Sequence, residues 1–169
     1  MNIRTETPAD YEAIYTFVKL AFSTAKVSDG TEQDFVNQLR AGPGYIPELA
    51  LVAEEDGEII GHIMLTRRKL ESAGREVQAL LLAPLAVKSE FRGRGLGAKL
   101  TRIAIEKARE IGFEAVFLVG DPDYYSRFGF VRADKYGIAT TADIPAQFVQ
   151  ALELVRGALK NRSGTICLE

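Results

Sequence analysis

The stretch that governs the fold runs from residue 85 to residue 98 and reads Leu85-Ala86-Val87-Lys88-Ser89-Glu90-Phe91-Arg92-Gly93-Arg94-Gly95-Leu96-Gly97-Ala98. An apolar run leads into a turn rich in glycine and arginine, and an amphipathic segment starts inside that turn. Apolar residues at helical spacing continue to Ile111, and Gly112 then favours a helix end. The stretch therefore predicts a strand, a glycine-rich turn and a helix in direct succession.

The turn has the features of a phosphate-binding site. The first backbone N–H groups of a helix have no partner inside the helix, and the helix dipole adds partial positive charge there. Glycines let a ligand approach the backbone closely, while Arg92 and Arg94 add fixed positive charge and several donors. We therefore expect this turn to bind a dianionic phosphate group.

Three other interpretations of this segment are a Walker motif, a dinucleotide-binding fingerprint and a plain turn, and each fits the residues poorly. A Walker motif requires a glycine before the lysine and a hydroxyl residue after it, but Lys99 lies between Ala98 and Leu100. A dinucleotide fingerprint formally matches Gly93, Gly95 and Ala98, yet a strand should lead into it directly, and here Lys88–Phe91 intervene. A nucleotide-binding oxidoreductase domain is therefore disfavoured. A plain turn before a helix accounts for one glycine but not for the whole combination.

The rest of the chain predicts alternating strands and helices. The predicted strands are Asn2–Glu6, Glu48–Glu54, Glu58–Thr66, Val77–Val87, Phe113–Val119, Gln150–Val155 and Thr165–Leu168. The first predicted helix starts at Pro8, after a capping Thr7. The other predicted helices are Thr31–Arg40, Leu96–Ile111 and Asp121–Phe128. Asp56-Gly57 is a strong hairpin signal. This order indicates a mixed sheet with helices on its faces.

Two motifs carry a resemblance to a known family. Arg92-Gly93-Arg94-Gly95-Leu96-Gly97 fits the pattern Gln/Arg-x-x-Gly-x-Gly/Ala, and Tyr125-Ser126-Arg127-Phe128-Gly129-Phe130 fits Tyr-x-x-x-Gly-Phe. In this order and at this separation, they make the chain resemble the GCN5-related N-acetyltransferase (GNAT) family. The segment after Gly120 resembles a subgroup of uncharacterised bacterial N-acetyltransferases. The similarity is strong over Glu76–Val131 and weak after it.

The resemblance implies a fold and a domain organisation. It implies an α/β (α+β) fold with a mixed, mostly antiparallel central sheet of about seven strands, helices on both faces, and a splay between strands four and five. Residues 1–169 are expected to form a single GNAT domain. Pro84 interrupts an apolar run, and proline inside a strand is typical either of a bulge or of an edge strand that tolerates it. A bulge at Pro84 would provide the opening between the two strands.

The resemblance also implies that the co-substrate is acetyl-CoA and that no metal takes part. The acetyl group is expected to pass to a primary amine, which attacks the thioester directly in a ternary complex. The implied coenzyme-binding residues are Leu85, Ala86, Val87, Arg92, Gly93, Arg94, Gly95, Leu96 and Gly97. A backbone N–H of residues 85–87 is expected to polarise the thioester carbonyl. Tyr125 is the expected general acid for the departing thiolate, and Tyr124 should point about 100° away on the helix. Many family members have an asparagine after the fifth strand, where this chain has Gly120-Asp121-Pro122-Asp123, and this difference puts the usual pantetheine contacts there in doubt.

The sequence does not identify the general base that deprotonates the amine, or the amine that accepts the acetyl group. A water-mediated proton path is the default, while His62 or the carboxylates Glu54 and Glu55 are alternatives. The acceptor could be a small-molecule or a protein amine, and Asp29, Glu32 and Asp34 could attract a cation. A second function class is an acyl-CoA-binding sensor module without turnover.

The composition of the chain narrows the function classes and the cellular locations to be considered. The chain has 169 residues and a formal net charge of −2, which disfavours a general nucleic-acid binder. Its single cysteine, Cys167, cannot form an internal disulfide and fits a reducing compartment. No signal pattern or membrane-length apolar run is visible, so the expected location is the cytoplasm, with no membrane partner. A homodimer is possible because dimers are common in the family that the chain resembles.

Overall fold

The computed structural model describes residues 1–25 and 28–169, and its elements follow the predicted order. The helices are α1 Tyr11–Ser23, α2 Glu32–Ala41, α3 Leu96–Ile111 and α4 Pro122–Tyr125. The strands are β1 Asn2–Thr5, β2 Ala50–Glu55, β3 Glu58–Ser72, β4 Gln78–Val87, β5 Ala115–Val119, β6 Val131–Arg132, β7 Ile138–Thr140, β8 Val149–Glu153 and β9 Gly164–Ile166. Among the described residues, no helix combines the length and apolar character needed to cross a membrane.

The sheet is mixed and mostly antiparallel. Hydrogen bonds link the strands in the order β1-β2-β3-β4-β5-β8-β6, while β9 pairs with β3 and β7. Parallel pairing occurs between β4 and β5, where Ala79–Leu81 lie opposite Ala115–Phe117, and between β7 and β9. This architecture confirms the predicted fold class. The splay beyond Leu81 and the bulge at Pro84 stay predictions.

The chain divides into two compact units, and the prediction of one domain over residues 1–169 stays a prediction. The first unit comprises residues 1–66 and 83–107. Its core forms where α1 and α2 pack on strand residues of the sheet. The buried members of this core are Ile14, Phe17, Val18, Ala21, Val36, Leu39, Ala50, Val52, Met64 and Ala86. The β2–β3 hairpin turns at Asp56 and Gly57, whose φ angles of 52° and 77° confirm the predicted tight turn.

The second unit comprises residues 67–82 and 108–169. Its apolar centre is β5, since the side chains of Ala115–Leu118 are all buried. β8 pairs with β5 along its whole length, and β6 pairs with β8 through Val131 and Arg132. The strands expected near residues 150 and 165 are therefore present, with ends shifted by one or two residues.

β3 is longer than predicted, and its extension has a tertiary cause. The expected strand ended at Thr66, where the charged sequence Arg67-Arg68-Lys69 breaks the apolar pattern. In the structure β3 continues to Ser72 because Leu70–Ser72 pair with the distant strand β9. Leu70 is buried in this pairing. The short strands β6 and β7 were not predicted, since two or three residues cannot display a period.

Candidate functional site

The glycine-rich turn is an exposed loop held at both ends. At its start, the backbone N–H of Lys88 donates to the carbonyl of Ile60 on β3 over 2.9 Å. At its end, the N–H of Lys99 donates to the carbonyl of Gly95 over 3.0 Å, which makes Gly95 the first acceptor of α3. The amides just before Lys99 therefore lack a helical acceptor and point out of the helix start, as an anion site requires.

Two glycines of the turn are required by backbone conformation. Gly93 and Gly95 have φ angles of 74° and 82°, in the left-handed region that other residues rarely adopt. A Cβ atom at either position would meet no other atom within 4 Å. The space beside the backbone is thus open, and a ligand can approach it closely. This geometry fits the pyrophosphate that the sequence resemblance implies.

A third glycine, Gly61 on β3, lets α3 approach the sheet. A Cβ atom at position 61 would lie 2.8 Å from Cδ1 of Leu100 and 3.4 Å from Cδ2 of Leu96. Both leucines are buried in the first turns of α3. This contact sets the distance between the start of α3 and β3. It therefore also sets the position of the exposed backbone amides that precede Lys99. Sequence reasoning missed Gly61 because its role depends on packing alone.

The two arginines of the turn have different environments. The Arg92 guanidinium donates to the carbonyl of Val87 over 3.1 Å and to that of Ala21 over 2.6 Å. Arg92 therefore ties the turn to the end of β4 and to the last turn of α1. The Arg94 guanidinium instead lies over the Phe91 ring, 5.5 Å from its centroid, on an exposed side chain. Arg94 is the more accessible charge for a phosphate group.

The β4 residues expected to bind the coenzyme alternate in exposure. Ala86 is buried and belongs to the core of the first unit, whereas Leu85 and Val87 are partly exposed. Because successive side chains of a strand point to opposite faces, Leu85 and Val87 share the face away from that core. This is the face on which a bound substrate could contact them.

Tyr125 lies at the end of α4, in a cluster of aromatic rings. Asp121 caps α4 by accepting from the N–H of Asp123 over 2.9 Å, and Pro122 occupies the first helical turn. The Tyr125 ring packs edge-on against Tyr124, with centroids 4.9 Å apart, and against Phe130 at 5.9 Å. The two rings are in edge-to-face contact, and the expected divergence of the two hydroxyl groups stays a prediction.

The Tyr125 phenol is desolvated but not engaged. Burial, with a smaller contribution from Tyr124, raises its pKa above the ordinary value, so that the phenol stays protonated at neutral pH. Within residues 1–25 and 28–169, no group lies within hydrogen-bonding distance of its hydroxyl. Tyr125 as a whole residue is partly exposed. A protonated hydroxyl without a competing partner can donate its proton to a substrate.

His62 belongs to a buried polar cluster that the sequence did not reveal. Its Nε2 lies 2.9 Å from Oε2 of Glu6, and neither side chain is exposed. Glu6 also accepts from Arg40 through Nε and Nη2, at 2.8 and 3.0 Å, and from the Tyr45 hydroxyl at 2.8 Å. Arg40 stacks on the Tyr11 ring, 4.0 Å from its centroid. We call Glu6, Arg40, Tyr45 and His62 the Glu6 cluster.

The charges of the Glu6 cluster follow from its contacts. Burial alone would raise the pKa of Glu6, but hydrogen bonds from His62, Arg40 and Tyr45 lower it to about 2. Burial lowers the pKa of His62. Neutral His62 therefore donates from Nε2 to ionised Glu6, and its buried Nδ1 is an acceptor without a partner. His62 is enclosed and already bonded, which argues against its use as a base.

A groove of about 910 Å³ lies in the first unit, along α1 and the β2–β3 hairpin. Its walls carry the carboxylates Asp10, Glu12, Glu54, Glu58 and Glu90, and one cation, Lys88. Lys88 is paired with Glu58 over 2.7 Å. The residues Lys88–Glu90 directly precede the glycine-rich turn, so the groove adjoins the segment that leads into it. Its charge suits a neutral or cationic ligand rather than a phosphate.

Comparison with known proteins gives a consistent result. The family model described as the acetyltransferase (GNAT) domain matches residues 2–133. The chain is 31% identical over 167 residues to YhbS of Escherichia coli strain K12, an uncharacterised N-acetyltransferase, covering 98% of this chain and 95% of that protein.

Solved structures agree with this match. The crystal structure of Escherichia coli YhbS in complex with CoA superimposes with a TM-score of 0.87 at 29% identity, covering 99% of this chain and 89% of that one. A GNAT family acetyltransferase from Brucella melitensis in complex with acetyl-CoA gives a TM-score of 0.78 at 30% identity, covering 98% and 93%.

Proposed function

Because the chain belongs to the GNAT family of acetyltransferases, we propose that it binds acetyl-CoA at its glycine-rich turn and transfers the acetyl group to a primary amine. The family membership agrees with the resemblance read from the two sequence motifs, and the class of enzyme is an acetyl-CoA-dependent acyltransferase. Two similar structures contain CoA or acetyl-CoA, which supports the choice of co-substrate. The acceptor, a small-molecule or protein amine, belongs to the proposal.

The backbone conformation of the glycine-rich turn is the main support for coenzyme binding there. Gly93 and Gly95 adopt left-handed backbone conformations with open space beside them, directly before the exposed start of α3. Residues Arg92–Gly97 then offer backbone N–H donors, the positive end of a helix dipole and the accessible guanidinium of Arg94 to the pyrophosphate. Leu85 and Val87 offer an accessible face of β4 to the pantetheine arm. Ala86, whose side chain faces the core, contributes through its backbone.

The transfer requires three events in one complex. The amine nitrogen attacks the thioester carbonyl carbon, the C–N bond forms, and the C–S bond breaks as the electron pair leaves with sulfur. A backbone N–H of residues 85–87 stabilises the negative charge that develops on the carbonyl oxygen. The proton of the Tyr125 hydroxyl goes to the departing thiolate. A thiol has a pKa of about 8.5 and a free tyrosine about 10, so this transfer is uphill, and burial, which raises the pKa of Tyr125, makes it more so. The phenol is fully protonated when the C–S bond breaks, and the tyrosinate that remains then regains a proton from solvent.

The acceptor must lose a proton before or during attack. An alkyl ammonium has a pKa near 10.4, so a base or a water path must remove its proton at neutral pH. His62 is buried and bonded to Glu6, and Glu54 is engaged by Arg4 over 2.7 Å. These contacts favour a water-mediated path to solvent over a dedicated side-chain base.

The cofactor assignment is tested by Gly95→Val. Valine at a φ of 82° would strain the turn, and its side chain would fill the space that a pyrophosphate needs. We expect CoA affinity to fall at least about 10-fold, the equivalent of roughly one net hydrogen bond. Isothermal titration with CoA measures this loss, and release of free thiol from acetyl-CoA with a panel of amines measures turnover.

The control for this variant is Gly157→Val. Gly157 has a φ of 83° and, like Gly95, an open space beside its Cα, so it imposes the same backbone strain in the other unit. Unchanged CoA affinity in Gly95→Val, or an equal loss in Gly157→Val, would remove the turn from the cofactor site. CoA binding without thiol release for any amine would instead favour the acyl-CoA sensor.

Replacing Arg92 or Arg94 by alanine should weaken CoA binding in both cases but lower the melting temperature only for Arg92. Arg94→Ala removes an exposed charge, so we expect CoA affinity to fall about 3- to 10-fold at low ionic strength and less at about 0.5 M salt, where screening is stronger. Arg92→Ala should also weaken CoA binding, but it should lower the melting temperature as well, because the tie to Ala21 and Val87 is lost. Titrations at two salt concentrations and thermal melts distinguish the two effects. An equal loss toward CoA and dephospho-CoA places the lost contact at the pyrophosphate rather than at the 3′-phosphate.

A further inference from the structure

Gly120, directly after β5, provides the surface on which the Tyr125 ring rests. A Cβ atom at position 120 would lie 2.6 Å from Cε2 and 3.1 Å from Cδ2 of Tyr125. Real Cβ atoms essentially never approach another atom so closely, so no side chain can coexist with the ring in its present place. The φ angle of Gly120 lies outside the left-handed region, and the backbone alone therefore does not require glycine.

The backbone of Gly120 is fixed by two hydrogen bonds. Its N–H donates to the carbonyl of Phe148 over 2.9 Å, and its carbonyl accepts from Nε2 of Gln150 over 2.7 Å. The Gln150 side chain is a buried polar group, 1% exposed, on the neighbouring strand β8. The surface beneath the ring therefore cannot retreat to make room for a larger residue.

Two aromatic side chains also pack against the ring. Phe130, which is buried, and Phe128 have ring centroids 5.9 and 6.2 Å from that of Tyr125. The helix start is set by Asp121, whose carbonyl accepts the N–H groups of both Tyr124 and Tyr125. Contacts with a fixed backbone and with neighbouring aromatic rings restrict the orientation of the ring, and this orientation sets where its hydroxyl lies.

We propose that Gly120, with its backbone held by Gln150, is a positioning residue that aims the Tyr125 hydroxyl for proton donation. This inference rests on the proposed function, in which Tyr125 protonates the thiolate. Gly120 itself touches no reacting atom. Its contribution is the absence of a side chain, which lets the ring lie against the end of β5.

The test is Gly120→Ala, assayed for acetyl transfer and for acetyl-CoA affinity. The added methyl group should displace the ring, and kcat should fall between about 10- and 100-fold, since a misplacement of about 1 Å can have such an effect. Acetyl-CoA affinity should not change. Gly42→Ala is the matched control: Gly42 has an ordinary φ of −84°, and its Cβ would meet no atom closer than 3.3 Å.

A double-mutant cycle identifies the ring as the intermediary. In a Tyr125→Phe background there is no hydroxyl to aim, so Gly120→Ala should lower kcat less than about 3-fold further. Multiplicative losses in the double variant would overturn the inference, because the glycine would then act independently of the hydroxyl. A kcat equal to that of the parent protein in Gly120→Ala would overturn it too.

A spectroscopic titration separates failure of this inference from failure of the proposed function. The phenol of Tyr125 is isolated as the difference in ultraviolet absorbance between each protein and its Tyr125→Phe counterpart. Displacement into water should lower its pKa toward the ordinary value of about 10 in Gly120→Ala. If Tyr125→Phe were as active as the parent, the general acid would be wrong, and this titration would still decide the position of the ring. An unchanged titration would overturn the inference.

Discussion

Tyr125→Phe is expected to lower kcat by about 10²-fold, the lower end of the range for general acid catalysis. The substitution removes the hydroxyl and keeps the ring, so the aromatic packing against Phe128 and Phe130 persists. A thiolate can leave without assistance, which is why the loss should not be larger. Steady-state kinetics should place the loss on kcat rather than on KM, because the proton donation takes place in the transition state.

Tyr124→Phe is the matched control for this variant. Its ring packs edge-on against that of Tyr125, and successive side chains on a helix point about 100° apart, so we expect only one of the two hydroxyls to face the thiol. We expect a much smaller change in kcat from this substitution. Equal rates for Tyr125→Phe and the parent protein would remove Tyr125 from the mechanism, and a larger loss in Tyr124→Phe would move the role to that residue.

Glu6→Gln is expected to lower the free energy of unfolding by about 3–5 kcal/mol, the usual effect of removing one partner from a buried ion pair. Arg40, 8% exposed at its side chain, would keep its charge without a carboxylate. Tyr45 and His62 would lose an ionised acceptor at the same time. Urea unfolding followed by circular dichroism measures the change, and Glu12→Gln, at an exposed position on α1, is the control.

The same carboxylate gives the stability a defined pH dependence. The pKa of Glu6 is about 2 in the folded protein and 4.5 when unperturbed. Its contribution to stability is therefore complete above about pH 4.5 and is lost as the pH falls toward 2. Glu6→Gln should flatten the stability profile in this window. An unchanged profile, or a loss no larger than that of Glu12→Gln, would contradict the role of the cluster. Tyr45→Phe, which removes a single bond to Glu6, provides a milder variant if Glu6→Gln does not fold.

Local sequence signals predicted the parts of the molecule that local chemistry determines. The Asp56-Gly57 hairpin, the end of α3 at Gly112 and the glycine-rich turn all depend on backbone conformations that few residue types adopt. These signals placed most strands and helices within a few residues of their observed ends. The order of elements then sufficed to predict a mixed sheet.

The features that were missed depend on contacts between distant positions. The partners of Glu6 lie 34 to 56 residues away, and no periodic pattern connects them. Gly61 and Gly120 have φ angles outside the left-handed region, and the need for glycine comes from packing in the folded state, chiefly against Leu100 and Tyr125. A single sequence carries no signal for such contacts, although each shapes a candidate site residue or the start of α3.

The contact between Gly61 and Leu100 also limits how this sequence can change over evolutionary time. A side chain at position 61 collides with a leucine at position 100, so the two positions are not independent sites of substitution. An alanine at position 61 requires the Leu100 side chain to shift or to be replaced by a smaller one. Leu100 is fully buried, so the intermediate with a smaller side chain there carries a cavity. Either order of replacement therefore passes through a strained or less well packed intermediate, and the two positions should vary together among related chains.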